Sequence, residues 1–280
     1  MVALTTFKVY RYQLLPIDRH TADLYDGVSP SEVIERKNTF FAESIPFVTR
    51  YRHRGGDLVA KVERSQNDAF ILQLATNRPL TRETPEFLVE QLENWPHVTA
   101  IILNRPDEQY IAVQERPSAF ASTDTVVKVV QKATRQSLER LGLRLHVESM
   151  FRENYFWDLV EQHHHKITWV EFEFITPNMA NISDTLSDTL KRLSKDTNSV
   201  KGDLKLQSDP AAALDLSPSD ATVQGLVDYT SQGGGDISLK VKGIRKRFHT
   251  SSSSREVELT DLEINAPPDQ VAAILREALK

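Results

Sequence analysis

The sequence VTAIILNRPDEQYIAV at residues 98–113 opens a longer segment, residues 98–178, that determines the predicted fold. Two apolar, β-branched runs flank the turn-forming residues Asn-Arg-Pro-Asp-Glu, so the pattern predicts a β-hairpin with Pro106 in its turn. A strand is also predicted at 143–147, where Leu, Arg, Leu, His and Val alternate. The segment therefore combines at least three strands.

The run ITWVEFEFI at residues 167–175 predicts another strand. Because side chains alternate along a strand, one set should point into the core: Thr168, Val170, Phe172 and Phe174. The other set should share the opposite face: Ile167, Trp169, Glu171, Glu173 and Ile175.

The clearest predicted helix covers residues 123–141. Ser122 or Thr123 can cap it, Asp124 suits the helix dipole in the first turn, and Gly142 can take a left-handed conformation after its end. Further predicted helices cover residues 32–44, 85–94, 156–160, 183–193, 221–229 and 268–279. Further predicted strands cover residues 7–15, 47–51, 58–62, 69–75, 200–206, 237–248 and 257–264.

These elements predict an α+β fold with a mainly antiparallel sheet and helices packed on one face. A change in texture near Asn178 suggests a core domain at 1–178 and a smaller α/β domain at 179–280, although a single domain is the alternative.

The composition excludes several classes of function. The chain has 280 residues, a formal net charge of −5 and no cysteine, so disulfides and thiolate metal sites are excluded. The N-terminal sequence lacks the features of a secretory signal, and no apolar run approaches the roughly 20 residues of a membrane-spanning helix. We expect a cytoplasmic protein that does not enter membranes.

The strongest functional lead is a run of cations near the C-terminal end of the sequence. It consists of Lys240, Lys242, Arg245, Lys246 and Arg247. On a hairpin strand with a serine-rich tip, such side chains could follow a nucleic-acid backbone and neutralise its phosphates. The competing interpretation is that alternating cations protect an edge strand from aggregation.

Two carboxylates give the alternative of an enzyme. Glu171 and Glu173 share one face of a predicted strand and could hold Mg²⁺ for phosphodiester cleavage. The usual Glu-x-Lys spacing is missing, and solvent-facing glutamates on a half-exposed sheet are commoner. His163, His164 and His165 lack the i, i+4 spacing of helical metal ligands, so no metal site is predicted there.

The order of elements in residues 98–178 resembles an uncharacterised bacterial family associated with anti-phage defence loci. The resemblance rests on the hairpin AIILNRPDEQYIAV, the helix FWDLV and the strand WVEFEFITPN. It implies a cytoplasmic bacterial protein that acts with a partner around foreign nucleic acid, and it carries over no functional residue.

We therefore expect a non-catalytic subunit of a bacterial anti-phage defence system that binds nucleic acid or a partner protein and needs no cofactor. The alternative is a metal-dependent nuclease or RNA-cleaving toxin that uses Glu171 and Glu173 with Mg²⁺. A homo-oligomer is compatible with both functions.

Overall fold

The computed structural model describes residues 4–18, 29–51, 58–175, 192–193 and 196–279. The strands are β1 (Leu4–Pro16), β2 (Leu58–Gln66), β3 (Ala69–Thr76), β4 (Leu80–Glu83), β5 (Val89–Leu92), β6 (His97–Asn104), β7 (Gln109–Gln114), β8 (Leu143–Ser149), β9 (Ile167–Ile175), β10 (Lys201–Gln207), β11 (Ile237–Val241), β12 (Phe248–His249) and β13 (Glu256–Thr260). The helices are α1 (Pro30–Ser44), α2 (Thr123–Arg140), α3 (Glu153–Gln162), α4 (Ala221–Tyr229), α5 (Asp261–Ile264) and α6 (Pro268–Ala278). The fold is α+β, as the sequence predicted.

The first sheet has the strand order β13-β1-β7-β6-β3-β2, and all of these pairs are antiparallel. Strand β1 is long enough to pair with two strands on one edge. Its beginning pairs with β13, where Leu4 lies opposite Thr260, and its end pairs with β8, where Pro16 lies opposite Leu143. The sheet is therefore organised around β1.

Helices cover both faces of the first sheet. Helices α1 and α2 share one core with the even-numbered side chains of β1, such as Tyr12 and Leu14. Helix α6 packs on the opposite face, where Val271 and Leu275 share a second core with Phe7. The expectation of helices on one face was incomplete, because the C-terminal helix returns to cover the other side.

The second sheet has the strand order β10-β9-β11-β12. Helices α3 and α4 pack on one face, which buries Val170 and Phe172 of β9 as predicted. Ile167 joins the same core, although strict alternation put it on the other face. The reason is an irregular register, in which Lys240 pairs with Trp169 but Val241 pairs with Ile167.

Two predicted elements of the N-terminal half have the wrong type. The predicted helix at 85–94 is instead part of a hairpin of β4 and β5. The segment is too short to be stable as an isolated helix, and the backbone groups of the two strands form hydrogen bonds with each other instead. The predicted strand at 47–51 is a 3₁₀-helix, Ile45–Arg50, that continues from α1. Pro46 fits its first turn, and Ile45 and Val48 are buried.

Two predicted strands of the C-terminal half end early. Strand β11 stops at Val241, and a turn follows in which Gly243 has a φ of 84°. Strand β13 stops at Thr260, whose side chain and Glu263 form a capping box that starts α5. In both places a local turn or cap signal outweighs the β-branched pattern.

Both sheets take strands from each side of residue 178. Strand β9 pairs with β10 and β11, and β1 pairs with β13. The division of the chain into two independently folding parts stays a prediction. The predicted helix at 183–193 lies outside the described residues, apart from 192–193. Among the helices described here, none is long and apolar enough to cross a membrane.

Candidate nucleic-acid interface

One face of the second sheet, opposite the core with α3 and α4, carries polar side chains. We call it the outer face and define it by Trp169, Glu171 and Glu173 of β9 with their neighbours on β10 and β11. In this register Lys205 and Ser238 lie on either side of Glu171. The outer face is the scaffold from which the predicted cations extend.

Four of the five predicted cations lie in a loop rather than along a strand. Only Lys240 belongs to β11, and residues 242–247, here called the basic loop, connect β11 to β12. The ammonium of Lys240 donates hydrogen bonds to the carbonyl oxygens of Ile244 and Arg245, at 2.8 and 2.7 Å. Lys240 therefore holds the shape of the loop, and its own charge is partly used inside it.

Three cations of the basic loop are available to a ligand. Lys242, Arg245 and Lys246 are exposed, and within the described ranges none of them forms an ion pair with a carboxylate. The backbone N–H of Lys242 donates to the carbonyl oxygen of Lys166 at 2.8 Å, which brings a further exposed cation beside the loop. The arrangement concentrates positive charge at one end of the second sheet.

Trp169 links the basic loop to the outer face. The guanidinium of Arg247 lies 4.8 Å from the ring centroid and the ammonium of Lys205 lies 5.2 Å from it, both within cation–π range. Since β10 and β12 lie on opposite sides of β9, the two cations approach from opposite sides. The ring is only 7% exposed, and its indole N–H has no hydrogen-bond partner in the described structure.

The sequence analysis placed Trp169 on the correct face but gave it no role. In the described structure the Trp169 ring therefore positions the two cations, and these exposed cations are the groups that can bind an anion. The sequence signal for this role of Trp169 is the alternation of side chains along β10, which puts Lys205 on the same face of the sheet as Trp169 once β10 pairs with β9. That pairing depends on a register that no local pattern in the sequence fixes.

Glu171 and Glu173 lie on the outer face as predicted, but in different surroundings. Glu173 forms an ion pair with Lys201 at 2.6 Å, so one of its oxygens is already occupied. Glu171 lies between Lys205 and Ser238 in the strand register. No group of three or more His, Asp or Glu side chains in the described ranges is arranged to hold a metal ion.

Glu148 of β8 is a titratable group that the sequence analysis missed. Burial, together with the nearby carboxylates of Glu173 and Asp236, raises the pKa of its carboxyl to about 7, whereas Lys201 lowers it. Glu148 belongs to the first sheet, Glu173 and Lys201 belong to the second, and Asp236 directly precedes β11. The raised pKa therefore marks a place where the two sheets meet.

Asp236, His249 and Ser238 form a hydrogen-bonded group that superficially resembles a catalytic triad. The His249 Nδ1 atom lies 3.1 Å from Asp236 Oδ2 and 3.0 Å from Ser238 Oγ. A triad needs the acid on one ring nitrogen and the nucleophile on the other, so this geometry cannot activate the serine. Asp236 also accepts hydrogen bonds from Thr250 and Ser251, which anchors the segment after β12.

A second cluster of cations lies in a cleft of about 260 Å³ between α2 and β8. Its cations are Lys132, Arg135 and Arg144. Glu139 accepts hydrogen bonds from both arginines, at 2.8 and 3.1 Å, so much of the positive charge is compensated. The basic loop is therefore the better candidate for binding a polyanion.

Comparison with models of protein families, with curated proteins and with solved structures finds no match.

Proposed function

We propose that this protein is a non-catalytic nucleic-acid-binding protein that holds the phosphate backbone against the basic loop. The observation that carries this proposal is the exposure of Lys242, Arg245 and Lys246 without carboxylate partners in the described structure. Arg247 and Lys205, both exposed and held against the ring of Trp169, supply adjoining cations. The chain is acidic overall, so the attraction has to be local.

We further propose, from the resemblance of residues 98–178, that binding serves a bacterial defence system in which this chain is a cytoplasmic subunit. The alternative nuclease function has less support, because Glu173 is held by Lys201 and no third metal ligand joins it among the described residues. The two functions differ in which side chains matter, and that difference can be measured.

Replacing Lys242, Arg245 and Lys246 together with glutamine should weaken nucleic-acid binding roughly a hundredfold at about 0.1 M salt. Each lost phosphate contact should reduce the slope of log affinity against log salt by about 0.9 on duplex DNA. Fluorescence anisotropy with labelled random-sequence DNA and RNA oligonucleotides, titrated from about 50 to about 300 mM salt, measures both quantities.

The matched control replaces Lys128, Lys132 and Arg140 on α2 with glutamine. These three exposed cations have the same composition of two lysines and one arginine, so the net charge changes equally. The control should retain affinity within about twofold. Equal losses in the two triple variants, or no binding by the unmodified protein, would refute the proposal.

The double variant Glu171→Ala with Glu173→Ala tests the nuclease alternative. We expect oligonucleotide affinity within about threefold of the unmodified protein, since the two carboxylates are not phosphate contacts. The same protein is incubated with labelled DNA and RNA in the presence of Mg²⁺ or Mn²⁺ and analysed on denaturing gels. Metal-dependent cleavage that this double variant abolishes would establish the nuclease instead.

A further inference from the structure

The hairpin of β4 and β5, residues 80–92, projects from the first sheet as an arm. Its two strands pair only with each other, with Leu80 opposite Leu92, and they join neither of the larger sheets. The base of the arm is fixed, because the Arg78 N–H donates to Asn94 at 2.7 Å and its guanidinium donates to Ala119. The arm is thus firmly attached at one end and extended at the other.

The tip of the arm exposes three consecutive large apolar side chains. Phe87, Leu88 and Val89 are 89%, 62% and 66% exposed. A two-stranded hairpin is marginally stable alone and gains nothing from apolar side chains that remain in water. A contiguous exposed apolar patch of this kind marks an interaction surface.

Phe87 has a strained backbone conformation, so neither its backbone nor its exposed side chain stabilises the fold. Its φ is 59°, in the left-handed region where glycine or asparagine is favoured and a bulky side chain is an outlier. The turn is closed by hydrogen bonds between the backbones of Thr84 and Leu88 and of Phe87 and Thr84, both at 2.9 Å. A phenylalanine that adds strain and buries nothing is explained by a contact outside the chain.

Charges around the tip specify the kind of partner. Residues 80–93 carry four glutamates, namely Glu83, Glu86, Glu90 and Glu93. The only cation in residues 80–93, Arg82, forms an ion pair with Glu90 at 2.9 Å. This negative rim repels nucleic acid, anionic lipid and the same arm of a second copy, whereas it attracts lysine and arginine.

We propose that the arm docks a partner protein through an apolar segment flanked by lysine or arginine, at a site separate from the basic loop. The partner's apolar side chains would cover Phe87 and Leu88, and its cations would face Glu83 and Glu86. The surface does not depend on nucleic-acid binding, so the two proposals succeed or fail separately.

The test selects binders from a random-peptide library displayed on phage, with the intact protein as bait. The expected result is enrichment of peptides with aromatic or aliphatic residues flanked by Lys or Arg. Synthetic versions should bind at least tenfold more weakly to Phe87→Gly and to the triple variant of Glu83, Glu86 and Glu93 to glutamine. Calorimetry measures both affinities, and binding should weaken as salt is raised.

Matched controls separate docking from folding. Leu262→Ser removes an exposed leucine on α5, 84% exposed, and should leave peptide binding unchanged. Phe87→Gly relieves backbone strain, so its thermal midpoint should not fall even though binding is lost. The proposal is overturned if selected peptides bind Phe87→Gly equally well, if no peptide is enriched, or if enriched peptides are acidic. It is also overturned if light scattering shows arm-dependent self-association, or if the arm binds phosphatidylcholine vesicles.

Discussion

Replacing Gly235 with alanine is expected to destabilise the folded protein by about 4 kcal/mol or more. Gly235 has a φ of 159° and a ψ of −152°, a combination that is open to glycine alone. An added Cβ would overlap the carbonyl group of Glu173, which belongs to the backbone of β9. That backbone cannot move aside, because β9 is paired on both edges and Glu173 N–H donates to Asp236 at 2.9 Å.

Gly243→Ala is the matched control for this prediction. Gly243 also has a positive φ, 84°, but a Cβ there would meet no atom within 4 Å. It should cost about 1–2 kcal/mol from backbone strain alone. Urea denaturation of both variants measures the difference, and equal costs would show that the close approach between Gly235 and β9 does not limit stability.

Replacing Glu148 with glutamine is expected to stabilise the protein by about 3 kcal/mol at about pH 8. Burial and the neighbouring Glu173 raise the pKa of Glu148 from 4.5 to about 7. The folded state therefore binds this proton more tightly than the unfolded chain does. Its contribution to stability is complete below about pH 4.5 and is lost as the pH rises through about 7.

The magnitude follows from the pKa difference between 4.5 and about 7, at about 1.4 kcal/mol per tenfold change in proton affinity. Glutamine keeps the shape of the side chain and cannot ionise, so the stabilising effect should vanish near pH 4. Glu171→Gln on the outer face is the control and should change stability by less than about 0.5 kcal/mol at either pH. Urea denaturation across this pH range provides the measurement, and a pH-independent effect of Glu148→Gln would contradict the assignment.

The elements with several agreeing local signals were predictable from the sequence. Helix α2 has a cap at Ser122, an apolar stripe and Gly142 with a φ of 71° after its end, and its predicted limits differ from the observed ones by one residue. The hairpin of β6 and β7 has strong β-branched runs around a clear turn. Local propensity and tertiary packing point to the same structure at these positions.

The arm could not be predicted, because its sequence suits a short helix as well as a hairpin. Phe87, Leu88 and Leu92 fall at helical spacing, yet nothing in the described part of the chain covers that stripe. Without a surface to pack on, ten residues gain little from forming a helix. The apolar residues of the arm therefore join no core of the described structure, and we assign them to the proposed docking contact.

The candidate interface was predictable in composition but not in shape. The sequence shows that five cations lie close together, but their different roles depend on where β11 ends. Lys240 holds the shape of the basic loop, the next three cations are exposed, and the guanidinium of Arg247 lies against the ring of Trp169. The position of Glu148 beside Glu173 depends on a contact between β8 and β9, which belong to different sheets. Such a contact produces no periodic pattern in the sequence from which it could be predicted.

The pairing of β1 with β13 has a consequence during synthesis. Residue 4 cannot pair with residue 260 until that residue has been synthesised. At about 5–20 residues per second the ribosome needs roughly 10–50 s to make the intervening chain. Throughout that time one edge of β1 lacks its final neighbour, and loop closure over such a span is slow. We expect the nascent chain to depend on chaperones until β13 emerges and takes its place beside β1.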